Sequence, residues 1–311
     1  MFNTPGANAN AVKELVIAGL LLSSRKIFDS LVWAQGLKGK GADVPGLVEK
    51  GKGQFGGPEI TGKTLGVIGL GAIGALTANA AIALGMNVIG YDPFLSVKSA
   101  LGLNPLCKTT GDIKDIYAAS DYISVNTPLN KETRGFINSG SIALMKDGVR
   151  ILNFARAELV DSDSIIAALD SGKVSAYVVD FPTDEMLCVK NVIAIPHLGA
   201  STPESEDNCA VMAALQLIDY IENGNIRNSV NLPDAEMSAA GKKICIIHKN
   251  IPAVISTITG TLSSGGINIE NMLNKSKGEL AYTMIDTTGN ITDEIIGNIT
   301  GLDSVVRVRV V

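Results

Sequence analysis

The apolar positions of this chain fall into two alternating spacings. Short, nearly continuous apolar runs read as strands buried on both faces. Between them apolar residues recur every three to four positions, the spacing of a helix with one buried face. The pattern predicts a helix over 12–25, where Val12, Leu15, Val16, Leu20 and Leu21 recur at helical spacing. Residues 36–63 are rich in Gly and Lys and read as loop. Beyond them strands are predicted at 65–69, 87–91, 122–125, 149–153, 174–179 and 191–195. Helices are predicted at 72–84, 113–119 and 137–145, and through Leu169 after a cap at Asp161 or Ser162. A long helix follows, with Thr202 as cap, Pro203 at its first position and Gly224 past its end. Strands and helices in strict alternation imply a parallel sheet with helices over both faces.

The pattern then changes. Residues 225–240 are polar and read as a linker. After them come a strand at 243–247, a helix at 253–262, strands at 267–272 and 279–285, a helix at 294–299 and a strand at 305–311. That βαββαβ order predicts a small ferredoxin-like domain. The chain thus divides into an α/β domain over 1–205, a helix and linker over 206–240, and a small domain over 241–311.

Composition narrows the function. The 311 residues hold 26 Lys+Arg and 31 Asp+Glu, a net charge of −5. That argues against a protein that works by neutralising nucleic-acid phosphates. With 46% hydrophobic and 18% charged residues the chain is core-forming. Residues 64–91 carry no charge, yet six glycines with Asn79 and Asn87 break the stretch, so it reads as buried sheet and crossover helix and no membrane partner is expected. No basic segment leads into an apolar run at the start, so no secretion signal is expected. Cys107, Cys188, Cys209 and Cys245 are widely separated and form no C-x-x-C pair. No metal site is expected from them, and reduced thiols fit a cytoplasmic protein. Histidine occurs only at His197 and His248, so imidazole chemistry has two addresses.

Gly69-Leu-Gly-Ala-Ile-Gly74 is a G-x-G-x-x-G string between a predicted strand and helix, with Asp92 eighteen residues after its third glycine. In that context it is the dinucleotide-binding fingerprint of a Rossmann-type, doubly wound fold. Gly69 makes the tight turn, Gly71 lets backbone approach the pyrophosphate, and Gly74 allows close helix packing. The helix start offers free N–H groups to the phosphates. Asp92 would accept the ribose hydroxyls and repel a 2′-phosphate, which favours NAD over NADP. A glycine turn without ligand is the bland alternative.

Three further loops follow predicted strands, where open α/β sheets bind ligands. They are 153–161 with Arg156, 180–185 with Asp180, Asp184 and Glu185, and 196–202 with His197. An arginine can clamp a substrate carboxylate. A histidine can take a hydroxyl proton near neutrality, and a carboxylate behind it can stabilise the imidazolium. Together they suit oxidation of a 2-hydroxy acid. Taken singly, Arg156 reads as a surface cation, His197 as a satisfied core residue and the acids as ordinary loop residues.

These motifs resemble the D-isomer-specific 2-hydroxyacid dehydrogenases. The likeness rests on 69–74 with Asp92, on 153–161, and on Pro196-His-Leu-Gly-Ala-Ser-Thr202. Thr4-Pro-Gly-Ala-Asn-Ala-Asn10 before the opening helix, and the Pro-Glu after Thr202, point to the family's phosphoglycerate-oxidising branch. The resemblance implies NAD as cofactor, with Ala72, Ile73, Asp92, Phe154, Ala155, Asp180, His197, Gly199 and Ala200 as contacts. It implies Arg156 and Asn8 for substrate and His197 for acid–base work. The family's Asp-Val-Phe-x-x-Glu-Pro is shortened here. Counting five from Asp180 gives Glu185 as the supporting acid, whereas anchoring on Phe181-Pro-Thr gives Asp184. Glu185 is preferred for its longer reach. Family members begin with part of a substrate lobe, and this chain starts at the end of it, so a reduced substrate wall is expected. No Tyr has Lys four residues later, which disfavours a short-chain dehydrogenase.

The small domain resembles an ACT domain through His248-Lys-Asn250-Ile-Pro-Ala and Gly265-Gly-Ile-Asn268. That resemblance implies L-serine as effector, held by His248, Asn250 and Asn268 between paired domains, and hence a homo-oligomer. Pairing without a ligand remains an alternative. So do a hydroxypyruvate or glyoxylate reductase and a non-catalytic module that binds NAD and an amino acid.

Overall fold

The computed structural model describes residues 1–238 and 241–311; Ala239 and Ala240, the last positions of the expected linker, lie outside the described residues. Two compact units are present, one of residues 8–206 and one of residues 1–7 with 207–311.

The larger unit holds a seven-stranded parallel sheet in the order β3-β2-β1-β4-β5-β6-β7. Its strands are β1 (Thr64–Ile68), β2 (Asn87–Tyr91), β3 (Lys108–Thr110), β4 (Tyr122–Val125), β5 (Val149–Asn153), β6 (Val174–Val179) and β7 (Val192–Ala194). Order reverses between β1 and β4, which makes a switch point at their C-terminal ends. Alternation along each strand feeds two cores. Leu65, Val67, Tyr122, Leu152 and Val178 pack under α1 (Ala9–Arg25) and α4 (Ala72–Ala83). Ile123, Val125, Ile151, Tyr177 and Val179 pack under α6 (Ile113–Ala119), α7 (Ser139–Ala143) and α8 (Ser162–Asp170). Val16 and Leu20 on α1 are fully buried, each contributing about 1.5–3 kcal/mol. The doubly wound reading therefore stands.

Some elements carry no such pattern. α2 (Ile27–Gln35) and α3 (Val44–Gly51) form where no helix was expected, and neither buries a residue. The Gly-rich loop reading of 36–63 is corrected by α3. α3 meets its surroundings only locally, with Gly51 against the Trp33 ring of α2, so it is not part of the main apolar pattern. β3 is a three-residue polar edge strand on β2, preceded by the short α5 (Val97–Leu101).

In the smaller unit β8 (Lys242–Lys249), β9 (Asn268–Lys277), β10 (Leu280–Thr288) and β11 (Val305–Val310) form an antiparallel sheet ordered β11-β8-β10-β9. α10 (Val254–Ser264) and α11 (Asp293–Thr300) cover one face through Ile258, Leu262, Ile295 and Ile299. This is the expected βαββαβ order. The other face is covered from within the stretch read as linker. Ile226, Leu232 and Ala235 are buried there against Cys245, Tyr282 and Met284, and Ile226 bridges Ala235. Three apolar residues in a polar stretch are enough to pin it.

α9 (Pro203–Asn223) ends on this sheet. Its last carbonyls are captured by side chains. The Arg309 guanidinium donates to the carbonyls of Tyr220 at 3.1 Å and Ile221 at 2.8 Å. Tyr282 hydroxyl donates to the carbonyl of Gly224 at 2.6 Å. Lys243, only 1% exposed, donates to the carbonyls of Asn223 at 2.5 Å and Met237 at 2.9 Å. Two cations also oppose the negative end of the helix dipole. Among the described residues no helix is long and apolar enough to cross a membrane.

Removing the Lys243 ammonium leaves two part-buried carbonyls without their donor. Lys243→Ala should lower the opening free energy of the β8 amides by about 2–4 kcal/mol, read by hydrogen exchange. Unchanged β8 protection would contradict this assignment.

Candidate active site

The glycine loop joins β1 to α4. Gly69 sits at φ +89°, and a Cβ there would lie 2.7 Å from the Asn126 carbonyl oxygen. At Gly74 a Cβ would lie 1.8 Å from the Gly69 carbonyl oxygen, so only glycine lets α4 start this close to the loop. A Cβ at Gly71, by contrast, would meet nothing within 4 Å. Open space over backbone N–H groups at a helix start suits a pyrophosphate. Ala72 and Ile73 form the first turn of that helix beside it.

Asp92 closes the loop from the end of β2. Its carboxylate accepts the Leu70 N–H and the Phe94 N–H, both at 2.9 Å. Two of about four acceptor positions remain for other donors, such as ribose hydroxyls. A cavity of about 350 Å³ opens here, lined by Gly69, Gly71, Asp92, Phe94, Asn126 and Thr127 among others. It lies at the β1/β4 switch point. Phe94 and the 126–128 segment were not singled out from sequence, although their place after strand ends was the available signal. The loop, the acid and the cavity fit a dinucleotide.

The other predicted residues lie along the same sheet edge. β1 and β5 are separated by β4 alone, a span of about 10 Å. At the end of β5 the fully buried Asn153 shapes the loop. Its Nδ2 donates to the Arg156 carbonyl at 2.8 Å and to the Tyr177 hydroxyl oxygen at 3.2 Å. Its Oδ1 accepts the Ala155 N–H at 3.2 Å. Burial pushes the Tyr177 phenol pKa well up, so it stays protonated. Phe154 is buried, Ala155 is partly buried and Arg156 is exposed. The Arg156 Nη1 donates to the Ala155 carbonyl at 2.6 Å.

At the end of β6, Asp180 is 1% exposed. Its two oxygens accept the N–H groups of Leu198 and Gly199, each at 2.8 Å. A Cβ on Gly199 would press on the Asp180 Oδ2 at 2.8 Å. This carboxylate is therefore committed to the turn that follows β7. His197 in that turn adopts φ +54°, a left-handed conformation uncommon for residues with a side chain. Its exposed imidazole lies against Phe181, ring centroids 4.3 Å apart and tilted by 44°. The Arg156 guanidinium carbon lies over the same Phe181 ring, 5.3 Å from its centroid. Phe181 thus joins Arg156 to His197, and sequence reasoning had given it no role.

Asp184 and Glu185 open a short 3-10 turn and are exposed. Among the described residues neither is within ion-pair distance of His197. A hydrogen bond from its own backbone N–H is the main cause that holds the Glu185 carboxyl below the usual range. Asn8 precedes the first turn of α1 with no side-chain cap bond. One turn on, Val12 would lie 3.4 Å from a Cβ on Gly199, so this end of α1 adjoins the His197 turn. Ala200 packs on the same core as α1.

The residues singled out in the small unit do not all meet. His248 is 2% exposed. Its Nδ1 donates to the Lys249 carbonyl at 2.9 Å, and its Nε2 meets the Thr283 hydroxyl at 2.8 Å. Asn250 is exposed nearby and donates to the Gly278 carbonyl at 3.2 Å. Asn268 pairs opposite Thr288, whereas His248 pairs opposite Ala281. Seven positions along β10 separate them, roughly 23 Å. Within one chain, then, Asn268 stands apart from His248 and Asn250.

Comparison with known proteins places this geometry in a family. Residues 24–199 match the D-isomer specific 2-hydroxyacid dehydrogenase, NAD binding domain. The chain is 30% identical to D-3-phosphoglycerate dehydrogenase 1 of Saccharomyces cerevisiae, over 92% of this chain and 62% of that one. It is 28% identical to the D-3-phosphoglycerate dehydrogenase of Haemophilus influenzae, over 100% of this chain and 75% of that one. Among solved structures it is similar to a glyoxylate reductase from Paecilomyes thermophila, with a TM-score of 0.60 and 28% identity over 73% of this chain and 66% of that one. The chain spans 62–64% of the length of the fungal relatives it matches. The matched family and the strand-end geometry agree: the chain belongs to the D-isomer specific 2-hydroxyacid dehydrogenases and carries their NAD-binding domain.

Proposed function

We propose that the chain oxidises D-3-phosphoglycerate to 3-phosphohydroxypyruvate with NAD, the first step towards L-serine. One observation carries this reading. Arg156 and His197 meet on Phe181 at the strand ends that continue from the glycine loop. NAD, when bound, supplies the hydride acceptor. Gly69, Gly71, Ala72, Ile73, Gly74 and Asp92 hold its phosphates and ribose, and Phe154, Ala155, Asp180, Gly199 and Ala200 flank the reacting end. Arg156 clamps the substrate carboxylate with paired N–H donors. His197 takes the proton of the hydroxyl that is being oxidised. Glu185 is assigned the carboxylate that stabilises the imidazolium, with Asp184 as its competitor. Asn8 lies on the substrate side at the start of α1. Similarity to relatives named for phosphoglycerate supports the choice of substrate.

A second reading is a glyoxylate or hydroxypyruvate reductase, favoured by the solved neighbour of that name. Reduction of phosphohydroxypyruvate and of glyoxylate, measured side by side, separates the two. A protein that binds NAD and an amino acid without turnover would show neither activity.

We further assign residues 1–205 to NAD binding, 206–240 to a helix of the substrate lobe and a linker, and 241–311 to an ACT-type regulatory domain. L-serine would be held by His248 and Asn250 of one copy and Asn268 of a second, in a homo-oligomer. The separation of these residues along β10 supports a site shared between copies.

His197→Asn should abolish NADH formation while NAD still binds, as followed by calorimetry; retained turnover would remove His197 from its proton-transfer role. Asp92→Ser should reduce the preference for NAD over NADP by about tenfold or more, measured as a ratio of kcat/KM values. An unchanged ratio would mean that Asp92 does not read the ribose. Asn250→Ala and Asn268→Ala should each weaken serine binding about tenfold in calorimetry. Mixing the two variants should restore one tight site per pair, and failure to do so would argue against a shared site.

A further inference from the structure

We propose that Phe181 is the positioning residue for His197 and Arg156: its aromatic face orients the imidazole, and the stabilisation of its charge stays with the carboxylate assigned above. The inference rests on the reading of His197 and Arg156 as the reacting pair. It starts from a gap in that reading. His197 is exposed, and among the described residues no acid lies within ion-pair distance of it. An imidazole on the surface with no partner samples several rotamers. Proton transfer needs one of them.

Phe181 supplies the missing constraint. It follows Asp180 directly, so its backbone is fixed by the same strand end that holds the turn of His197. Asp180 N–H donates to the Asn153 carbonyl at 3.1 Å, and its carboxylate binds Leu198 and Gly199. The ring itself packs against the larger core of the α/β unit. It is therefore a rigid support rather than a loose surface group. The imidazole rests against it in direct contact, with centroids 4.3 Å apart and ring planes tilted by 44°. The Arg156 guanidinium carbon lies 5.3 Å from the ring centroid, inside the range of cation–π attraction.

The ring thus sets two things at once. It limits the swing of the imidazole, and it spaces the guanidinium from it. A 2-hydroxy acid presents its carboxylate and its hydroxyl on adjacent carbons. The clamp on one and the base for the other must therefore keep a fixed separation. A shared rigid ring holds that separation without adding a charge. A carboxylate in the same place would pair with Arg156 and withdraw it from the substrate. Among the described residues neither Asp184 nor Glu185 is within ion-pair distance of Arg156, which leaves its guanidinium free for the substrate.

The test uses the 311-residue chain. Phe181→Leu keeps an apolar plug in the core but removes the aromatic face. It should lower kcat by about tenfold to a hundredfold, the scale expected when a reacting group is misplaced by about an ångström. NAD affinity should stay within about twofold, because the glycine loop and Asp92 are untouched. Phe181→Tyr keeps the ring and should recover most of the lost kcat. A second readout needs no turnover. The chain has two histidines, and the His197→Asn variant assigns their imidazole proton resonances. Loss of the Phe181 ring current in Phe181→Leu should move the His197 resonance and leave that of His248 in place. Full kcat in Phe181→Leu would overturn the inference while leaving the proposed reaction intact. So would a Tyr variant as slow as the Leu variant. A wild-type chain with no turnover of any 2-hydroxy acid would overturn the proposed reaction and this inference together. An unmoved His197 resonance would show that the ring contact is absent in solution, and would reject the inference whatever the kinetics.

Discussion

The geometry of the candidate site depends on one buried carboxylate. Asp180 lies at the end of β6 and is almost fully withdrawn from solvent. Burying an ionised acid is costly unless its oxygens are satisfied. Here both oxygens accept backbone N–H groups of Leu198 and Gly199, charge-assisted bonds about twice as strong as neutral ones. The contact fastens the turn after β7 to the end of the neighbouring strand. It also sustains the left-handed backbone of His197, which would otherwise relax towards a commoner conformation. Gly199 is required by the same contact, since a Cβ would press on the carboxylate. Asp180, His197 and Gly199 are thus one mechanical unit.

The glycine loop follows a parallel logic with backbone in place of a buried acid. Asp92 accepts the Leu70 N–H and so draws the end of β2 onto the loop. The loop then keeps its shape without a ligand, and little ordering remains to be done when one binds. Open space over Gly71 and close packing at Gly74 separate the two tasks of the motif. One glycine leaves the space over the helix start open, and the other admits the helix itself.

Much of this was legible in the residues. Apolar runs such as Tyr122-Ile-Ser-Val and the helix of Val12, Val16 and Leu20 are dictated by burial, and burial leaves a periodic trace. Features without a buried face left none. Lys108-Thr-Thr is an edge strand with no buried residue, and α3 buries none either, resting against the Trp33 ring of α2. Stretch 225–238 looked like a linker because most of its residues are polar, yet Ile226, Leu232 and Ala235 decide its packing. The candidate residues of the larger unit sit along the strand-end edge of its sheet, where the switch-point rule looks for ligands. Their contacts were not legible. Phe181 as the shared face of Arg156 and His197, Asn153 as the brace of the Arg156 loop, and Lys243 at the end of α9 all join residues distant in sequence. Only the folded backbone brings such pairs together. The distance between Asn268 and His248 is of the same kind, since register sets it and composition does not.

The support of the site is buried, but its reactive heads are not. Asn153, Asp180 and Tyr177 are inside, uncharged or satisfied, and hold the loops still. Arg156 and His197 are exposed to solvent. This division follows from desolvation. A guanidinium and an imidazolium buried side by side would repel each other and lose their hydration, so the fold buries what orients them instead. The same division has a consequence for rate. In bulk water the attraction between a guanidinium and a carboxylate about 4 Å apart is near 1 kcal/mol, and it grows several-fold as the effective dielectric falls. Orientation by Asp180 and Phe181 is built into these residues. On the proposed reading, the electrostatic part of catalysis would reach full strength only where water is excluded from between Arg156, His197 and the substrate.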